Sequence, residues 1–134
     1  MTKIHALPVR VYYEDTDAGG IVYHASYIRF AERGRTEMLR DAGFEHAQLF
    51  KEQGIAFAVV AMNINFRSPA KLDDLLVVKT SISRLGGASM DMQQDIYRGS
   101  DLICEIKVTL VCIDNALKAV RLPQAVRDLF KSEV

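Results

Sequence analysis

The sequence of 134 residues contains no tryptophan, only three prolines and two cysteines, and no excess of charge of either sign. Seventeen lysines and arginines balance seventeen aspartates and glutamates. This balance argues against a nucleic-acid binder, because that function needs a strongly basic face. Glycine and proline are too scarce for a disordered chain, and 49% of the residues are hydrophobic. We therefore expect a single folded domain over residues 1–134.

Long hydrophobic runs are also missing. The longest, Ile55–Met62, is far shorter than the roughly 20 residues that cross a bilayer, and the N-terminus lacks the apolar stretch of a secretory signal. We expect a cytoplasmic protein without membrane insertion. Cys104 and Cys112 lie in one predicted strand about 26 Å apart, which is too far for a disulfide. Both are expected to be buried as small hydrophobic residues.

Hydrophobic periodicity predicts a sheet and one long helix, which together define an α+β fold. A first strand is expected at Val9–Tyr13, a loop at Glu14–Gly20, and the helix at Ala25–Ala42. Gly34, in the middle of this helix, is expected to pack against another backbone. The apolar period then changes to two and predicts four antiparallel strands, at Ile55–Arg67, Leu75–Arg84, Ala88–Arg98 and Leu102–Ile113. A short terminal helix is expected at Pro123–Phe130.

The run Ile55–Met62 is apolar on both faces of its predicted strand. A two-layer monomer with one solvated sheet face would not need this pattern. The strand therefore either has a partner subunit on its outer face or lines an apolar ligand tunnel. Both interpretations favour a homo-oligomer.

The densest polar segment holds Glu14, Asp15 and Asp17 between the first strand and the helix. Composition alone is typical of a solvated turn. However, Gly19 and Gly20 let the backbone approach a ligand closely, and the first N–H groups of the following helix have no intrahelical acceptors. A carboxylate here can attack an acyl carbonyl or deprotonate a water while those N–H groups hold the developing oxyanion. Such a pair suits acyl transfer to water.

Residues Val9–Arg40, VRVYYEDTDAGGIVYHASYIRFAERGRTEMLR, closely resemble the hot-dog-fold acyl-CoA thioesterases of the 4-hydroxybenzoyl-CoA thioesterase class. The segment is most similar to the YbgC branch, associated in bacteria with the Tol-Pal envelope system. A second segment, FRSPAKLDDLL at Phe66–Leu76, matches the family's next recurring stretch. The resemblance implies a five-stranded antiparallel sheet wrapped around one long helix. It also implies dimers that assemble further to tetramers, with substrate at the subunit interface.

The same resemblance assigns roles to residues. Asp17 corresponds to the catalytic carboxylate, acting as nucleophile or as general base for water. His24 corresponds to the position whose backbone N–H polarises the thioester carbonyl, and its imidazole is a further catalytic candidate. We predict that acyl-CoA is the substrate and that no metal or separate cofactor is needed. The candidate substrate-binding residues are the loop positions Gly20 and Tyr23 and three cations near predicted strand ends, Arg67, Lys71 and Arg84.

Two alternatives from other classes stay open. One is a non-hydrolytic hot-dog scaffold that binds acyl carrier protein or envelope machinery, although an Asp at position 17 argues against it. The other is a metal site on Glu14, Asp15 and Asp17, since hard cations prefer carboxylates. The loop lacks the ligand spacing and terminal Glu of a calcium loop. Asp15 is otherwise expected to hold the loop, and His5 and His46 to lie at the surface without partners.

Overall fold

The computed structural model describes residues 3–132 and 134. The strands are β1 (His5–Arg10), β2 (Ala56–Phe66), β3 (Leu75–Leu85), β4 (Ser89–Arg98) and β5 (Asp101–Ile113). The helices are α1 (His24–Asp41), α2 (His46–Gln53) and α3 (Gln124–Lys131), with a 3₁₀ turn at Tyr13–Asp15. All paired strands are antiparallel, in the order β1-β3-β4-β5-β2. The predicted α+β fold, a five-stranded antiparallel sheet on one long helix, is confirmed.

Helix α1 packs against the sheet through a stripe whose members recur every three or four residues, as amphipathic helices do. The buried stripe begins at Ser26 and ends at Leu39. Its N-terminal half packs on β3, β4 and β5, and its C-terminal half packs on β4, β5 and α3. One face of the sheet is therefore covered from one end of the helix to the other.

Gly34 is the point where α1 and the sheet come closest. A Cβ at Gly34 would lie 2.8 Å from Val78 Cγ1 and 3.1 Å from Thr80 Oγ1. The expected close approach is present, but the neighbours are side chains of β3 and not a second backbone. Glycine fits here because the branched side chains that β3 presents to the helix leave no room for a Cβ.

The first strand lies earlier than predicted, at His5–Arg10 and not at Val9–Tyr13. Pro8 lies inside it, which is permitted because β1 is an edge strand and needs no ladder bond on its outer side. The chain leaves the sheet near Tyr12, whose backbone N–H donates to the Asp15 carboxylate at 2.8 Å. This bond starts the 3₁₀ turn and so ends the strand.

A β-bulge between Val59 and Ala61 interrupts the pairing of β2 with β5. The register places Phe57 and Val59 opposite inward-facing residues of β5, and Met62 and Ile64 resume the same face after the bulge. Alternation therefore changes parity at Val60. The bulge explains why Met62, on the other parity of the run Ile55–Met62, packs on the core as Phe57 does.

The structure also tests the predictions for the two cysteines, His5 and His46. Cys104 and Cys112 are free and fully buried, as expected. The expectation that His5 has no partner is wrong, because its Nε2 lies 2.7 Å from Asp41 Oδ2. His46 is exposed as predicted, but it begins the unpredicted helix α2. None of the described helices is long and apolar enough to cross a membrane.

Candidate active site

The acidic loop after β1 is a tight hairpin closed by a bridge between Thr16 and Val22. The Asp17 N–H donates to the Ile21 carbonyl at 2.9 Å, and the Gly20 N–H donates to the Asp17 carbonyl at 3.0 Å. Gly20 has φ +83°, in the left-handed region that favours glycine. These bonds fix the backbone of Asp17 within the loop.

The carboxylate of Asp17 is exposed and partly fixed. Its Oδ1 accepts a hydrogen bond from the Gly19 N–H at 2.8 Å, whereas Oδ2 has no hydrogen-bond partner among the described residues. A Cβ at Gly19 would lie 3.2 Å from Oδ1, so glycine leaves room for the carboxylate against the backbone. One oxygen is thus held while the other is open to a substrate or a water.

Asp15 connects this loop to the start of α1. Only 4% of the residue is exposed, and its carboxylate accepts the Tyr12 N–H. Its carbonyl accepts two hydrogen bonds, from the Tyr23 N–H at 2.9 Å and from the Ser26 hydroxyl at 3.0 Å. Asp15 therefore has the structural role expected of it, and it holds the loop against the helix start.

Helix α1 begins without a side-chain cap. Tyr23 is the N-cap residue, and the Ser26 N–H turns back to the Tyr23 carbonyl at 2.8 Å. The N–H groups of His24 and Ala25 have no intrahelical acceptor, and they lie at the positive end of the helix dipole. The His24 ring lies 4.4 Å from the Tyr23 ring and 6.5 Å from the Phe66 ring. The helix start therefore offers backbone donors beside aromatic surface.

The candidate CoA-binding residues fall at different distances from the loop. Lys71 forms a β-bridge with Ile21 and so lies beside the loop. Arg67 follows Phe66 at the end of β2 and pairs with Glu105. Arg84 pairs with Asp91 near the far end of β3, about 30 Å along the strand from Leu75. Within one chain the structure gathers Gly20, Tyr23 and Lys71 at the loop, places Arg67 near the helix start, and leaves Arg84 apart.

Asp74, which the sequence analysis did not single out, fixes the segment beside the loop. Its Oδ2 accepts the Lys71 N–H and an Arg98 N–H, both at 2.9 Å. The backbone bond from Lys71, followed by the bond from Arg98, lowers the pKa of Asp74 below its ordinary value. An acidic residue three positions after Lys71, able to cap a turn, was the only local signal for this role.

The alternative of a metal site finds no support in the loop geometry. Across residues 3–132 and 134, no three side chains of His, Cys, Asp or Glu come together in a group that could hold a metal ion. The carboxylates of Asp15 and Asp17 instead accept backbone N–H groups of the loop.

A five-stranded antiparallel sheet wrapped around one long helix places the chain among the hot-dog-fold proteins, as the sequence predicted. The model of the thioesterase superfamily matches residues 19–105. The chain belongs to the thioesterase superfamily.

Similar proteins agree with this assignment. An acyl-CoA thioesterase YbgC from Haemophilus influenzae is 44% identical over 126 residues, which is 93% of each chain. An acyl-CoA thioester hydrolase YbgC from Escherichia coli O6:H1 is 45% identical over 132 residues, covering 97% of this chain and 98% of that one. The crystal structure of a probable thioesterase from Bartonella henselae superposes with a TM-score of 0.88 at 45% identity, covering 90% of this chain and all of that one. The predicted relationship to the YbgC branch is confirmed, and the protein is an enzyme of the thioesterase family.

Proposed function

We propose that this protein hydrolyses acyl-CoA thioesters to a free acid and CoA, with Asp17 as the catalytic carboxylate. The observation that carries the proposal is the arrangement of the acidic loop. An exposed carboxylate is fixed through one oxygen by Gly19, and the Asp15 carbonyl joins its loop to a helix start whose N–H groups lack acceptors. The names of the YbgC relatives support acyl-CoA as the substrate class.

The chemistry needs only these groups and water. With Asp17 as general base, the carboxylate takes a proton from water, and the hydroxide adds to the thioester carbon. The N–H groups of His24 and Ala25 stabilise the resulting oxyanion. The C–S bond then breaks, and the CoA thiolate leaves with the proton from Asp17. With Asp17 as nucleophile, a carboxylate oxygen adds to the thioester carbon and the C–S bond breaks as the CoA thiolate leaves. Water then hydrolyses the mixed anhydride to the free acid and the Asp17 carboxylate, and the proton released goes to the thiolate.

The decisive variant is Asp17→Asn. The amide oxygen still accepts the Gly19 N–H, so the loop keeps its shape, but the side chain can neither take a proton nor attack a carbonyl. We expect kcat to fall by about 10²- to 10⁴-fold in a thiol-release assay over a series of acyl-CoA chain lengths. Glu14→Gln removes an exposed acid of the same loop and is expected to keep kcat within twofold.

Two results would contradict this proposal in different ways. Unchanged turnover by Asp17→Asn would exclude the assigned role of Asp17. Failure of folded wild type to hydrolyse any CoA or acyl-carrier-protein thioester would favour the non-hydrolytic scaffold that binds such partners. In a single turnover in H₂¹⁸O, appearance of an unlabelled Asp17 oxygen in the acid would identify Asp17 as a nucleophile whose anhydride is attacked by water at Cγ.

We also propose a position for CoA. We place its phosphates near Lys71 and Arg67, because these cations lie beside the loop and beside Phe66 at the helix start. Arg84 contacts a CoA at this loop only if it comes from another subunit. The cytoplasmic location and the assembly into a dimer or tetramer remain predictions.

A further inference from the structure

A cavity of about 250 Å³ lies under the C-terminal half of α1. Its walls come from α1, α2, the sheet and α3. Eight of the twelve lining residues are apolar, among them Met38, Phe57, Met90, Met92, Leu110 and Phe130, and the other four are Glu32, Arg35, Thr36 and His46. The more exposed side is formed by Glu32, His46 and Val59. Such a lining is suited to a hydrocarbon chain.

One residue in this apolar lining is a buried cation. Arg35 is only 9% exposed, and its Nη1 donates to Gln94 Oε1 at 2.8 Å. Gln94 is itself fully buried and is held by bonds to the Ala31 carbonyl at 2.8 Å and to Thr80 Oγ1 at 3.0 Å. A guanidinium has five N–H donors, so a single neutral acceptor leaves most of its capacity free.

The charge of Arg35 has no direct counterion. It forms no ion pair with another residue of 3–132 or 134. Glu32, one turn earlier on α1, contributes only a favourable electrostatic influence. The ring of His46 lies 6.1 Å from the ring of Phe57 and is partly buried there although the residue is exposed. This partial burial, followed by the charges of Arg35 and Arg40, lowers the pKa of His46. The guanidinium of Arg35 and the carboxylate of Glu32 both line the cavity. The charge of Arg35, which has no direct ion pair, is costly to bury unless a ligand or water compensates it.

The inner face of β2 runs from the cavity towards the start of α1. Val59 lines the cavity, Met62 and Ile64 follow it, and Phe66 contacts the ring of His24. Val59 is 46% exposed and Phe66 is 54% exposed, so this face is open along the sheet edge. From His24 to Arg35 the helix rises about 16 Å. That rise matches an extended acyl chain of about twelve carbons.

We propose that the cavity binds the far end of the acyl chain and that Arg35 recognises a carboxylate there. The substrate class is then the CoA monothioester of a long-chain dicarboxylic acid. This inference rests on the function proposed at Asp17. A methyl-terminated chain would displace the water that solvates the guanidinium and would offer no acceptor in return. A terminal carboxylate replaces that water with a charge-assisted, bidentate contact.

The first test compares turnover of dodecanedioyl-CoA with that of dodecanoyl-CoA. We expect wild type to favour the ω-carboxylated substrate by at least tenfold in kcat/KM. Arg35→Met should reverse that preference, and Arg35→Lys should restore part of it. Arg33→Met, an exposed arginine on the same helix, should leave the ratio unchanged. Equal or reversed preference in wild type would overturn the proposal without need of any variant.

The second test does not depend on hydrolysis. Calorimetry on wild type should show that dodecanoate, which carries one carboxylate, binds at least tenfold more tightly than dodecanol. Nuclear magnetic resonance should show the pKa of His46 rising when dodecanoate binds. Equal affinity for the two probes, or no change at His46, would overturn the role of Arg35. Loss of turnover with retained selective binding would instead overturn the proposed hydrolysis and keep the cavity assignment.

Discussion

Asp15 and Asp17 lie two residues apart, yet their surroundings give the two carboxylates opposite roles. Asp15 is buried and accepts the Tyr12 N–H, so its charge is used to shape the turn. Asp17 is exposed and shares only one oxygen, with Gly19. Because a carboxylate engaged by the fold is not free to react, we propose the chemical role for Asp17 and not for Asp15. Residue type alone does not separate them; their hydrogen-bond partners do.

The burial of Cys104 and Cys112 predicts how readily their thiols react. Burial raises the pKa of Cys104 from 9.0 to about 12, and burial also raises the pKa of Cys112. Both thiols therefore stay protonated in the folded protein at pH values where the unfolded chain already ionises them. Ellman's reagent at pH 8 should label neither thiol of native protein within minutes, and both after unfolding in urea.

The raised pKa values of the two thiols also make the free energy of unfolding depend on pH. Because the unfolded thiols release protons that the folded ones keep, the free energy of unfolding should decrease as pH rises from about 9 towards 12. Serine at both positions should weaken this decrease, as measured by urea unfolding at each pH. Rapid labelling of two thiols in native protein would contradict the burial on which both expectations depend.

At the scale of elements, those with a repeating apolar pattern were predictable and α2 was not. Helix α1 and strands β2 to β5 lie within two residues of their predicted ends, because burial follows their period. In α2 only Leu49 is buried, so no apolar repeat exists to detect. The available signal was Gly54, which ends α2 in the left-handed conformation with φ +66°.

The candidate site likewise contains residues that a local sequence pattern predicts and residues that only the tertiary structure brings together. Asp17, Gly20 and His24 lie within one segment of eight residues. The order of residue types along that segment therefore predicts a carboxylate just before a helix start. Phe66 and Lys71 reach the loop only through strand and bridge pairing. No local pattern encodes that pairing. Arg35 was equally hidden, because an arginine on an amphipathic helix is usually exposed.

Gly34 provides the test of how α1 meets the sheet. A leucine there must displace Val78 and Thr80, both fully buried, so Gly34→Leu should lower the free energy of unfolding by about 3 kcal/mol. Gly34→Ala should also lower the free energy of unfolding, by less than leucine does. Its Cβ alone would lie 2.8 Å from the fully buried Val78, and a gain of about 1 kcal/mol in helix propensity does not offset that overlap. Urea unfolding followed by circular dichroism measures both. An alanine or leucine variant as stable as wild type would show that the contact yields easily.

At the scale of the whole molecule, zero net charge is an average over unlike surfaces. The outer face of the sheet carries polar and charged side chains, including Asn63, Gln93, Glu105 and Lys107. Arg84 and Thr109 both donate to Asp91 there, and these bonds lower the pKa of Asp91. An outer face of this kind does not call for an apolar covering. Of the two explanations for the apolar strand, the structure thus favours the open groove along β2.

The two sheet edges differ, and the difference predicts how copies of the chain associate. β1 is short and contains Pro8, which cannot donate a ladder bond. β2 has 11 residues, and Val60 on it is 59% exposed. A long apolar edge with open backbone groups favours pairing with another strand. We therefore predict that the homo-oligomer forms through β2, and that a partner strand closes the groove between Val59 and Phe66.

Light scattering after size exclusion should give a mass of two or four times 15.0 kDa for wild type. Val60→Lys places a charge at the paired edge and should shift the mass to that of one chain. Asn63→Lys, on the same strand but among the polar residues of the outer face, should not. Because closing the groove would help hold an acyl chain, Val60→Lys should also raise KM for long acyl-CoA more than for acetyl-CoA. A monomeric wild type, or a Val60→Lys variant with unchanged mass, would exclude the β2 edge as the interface.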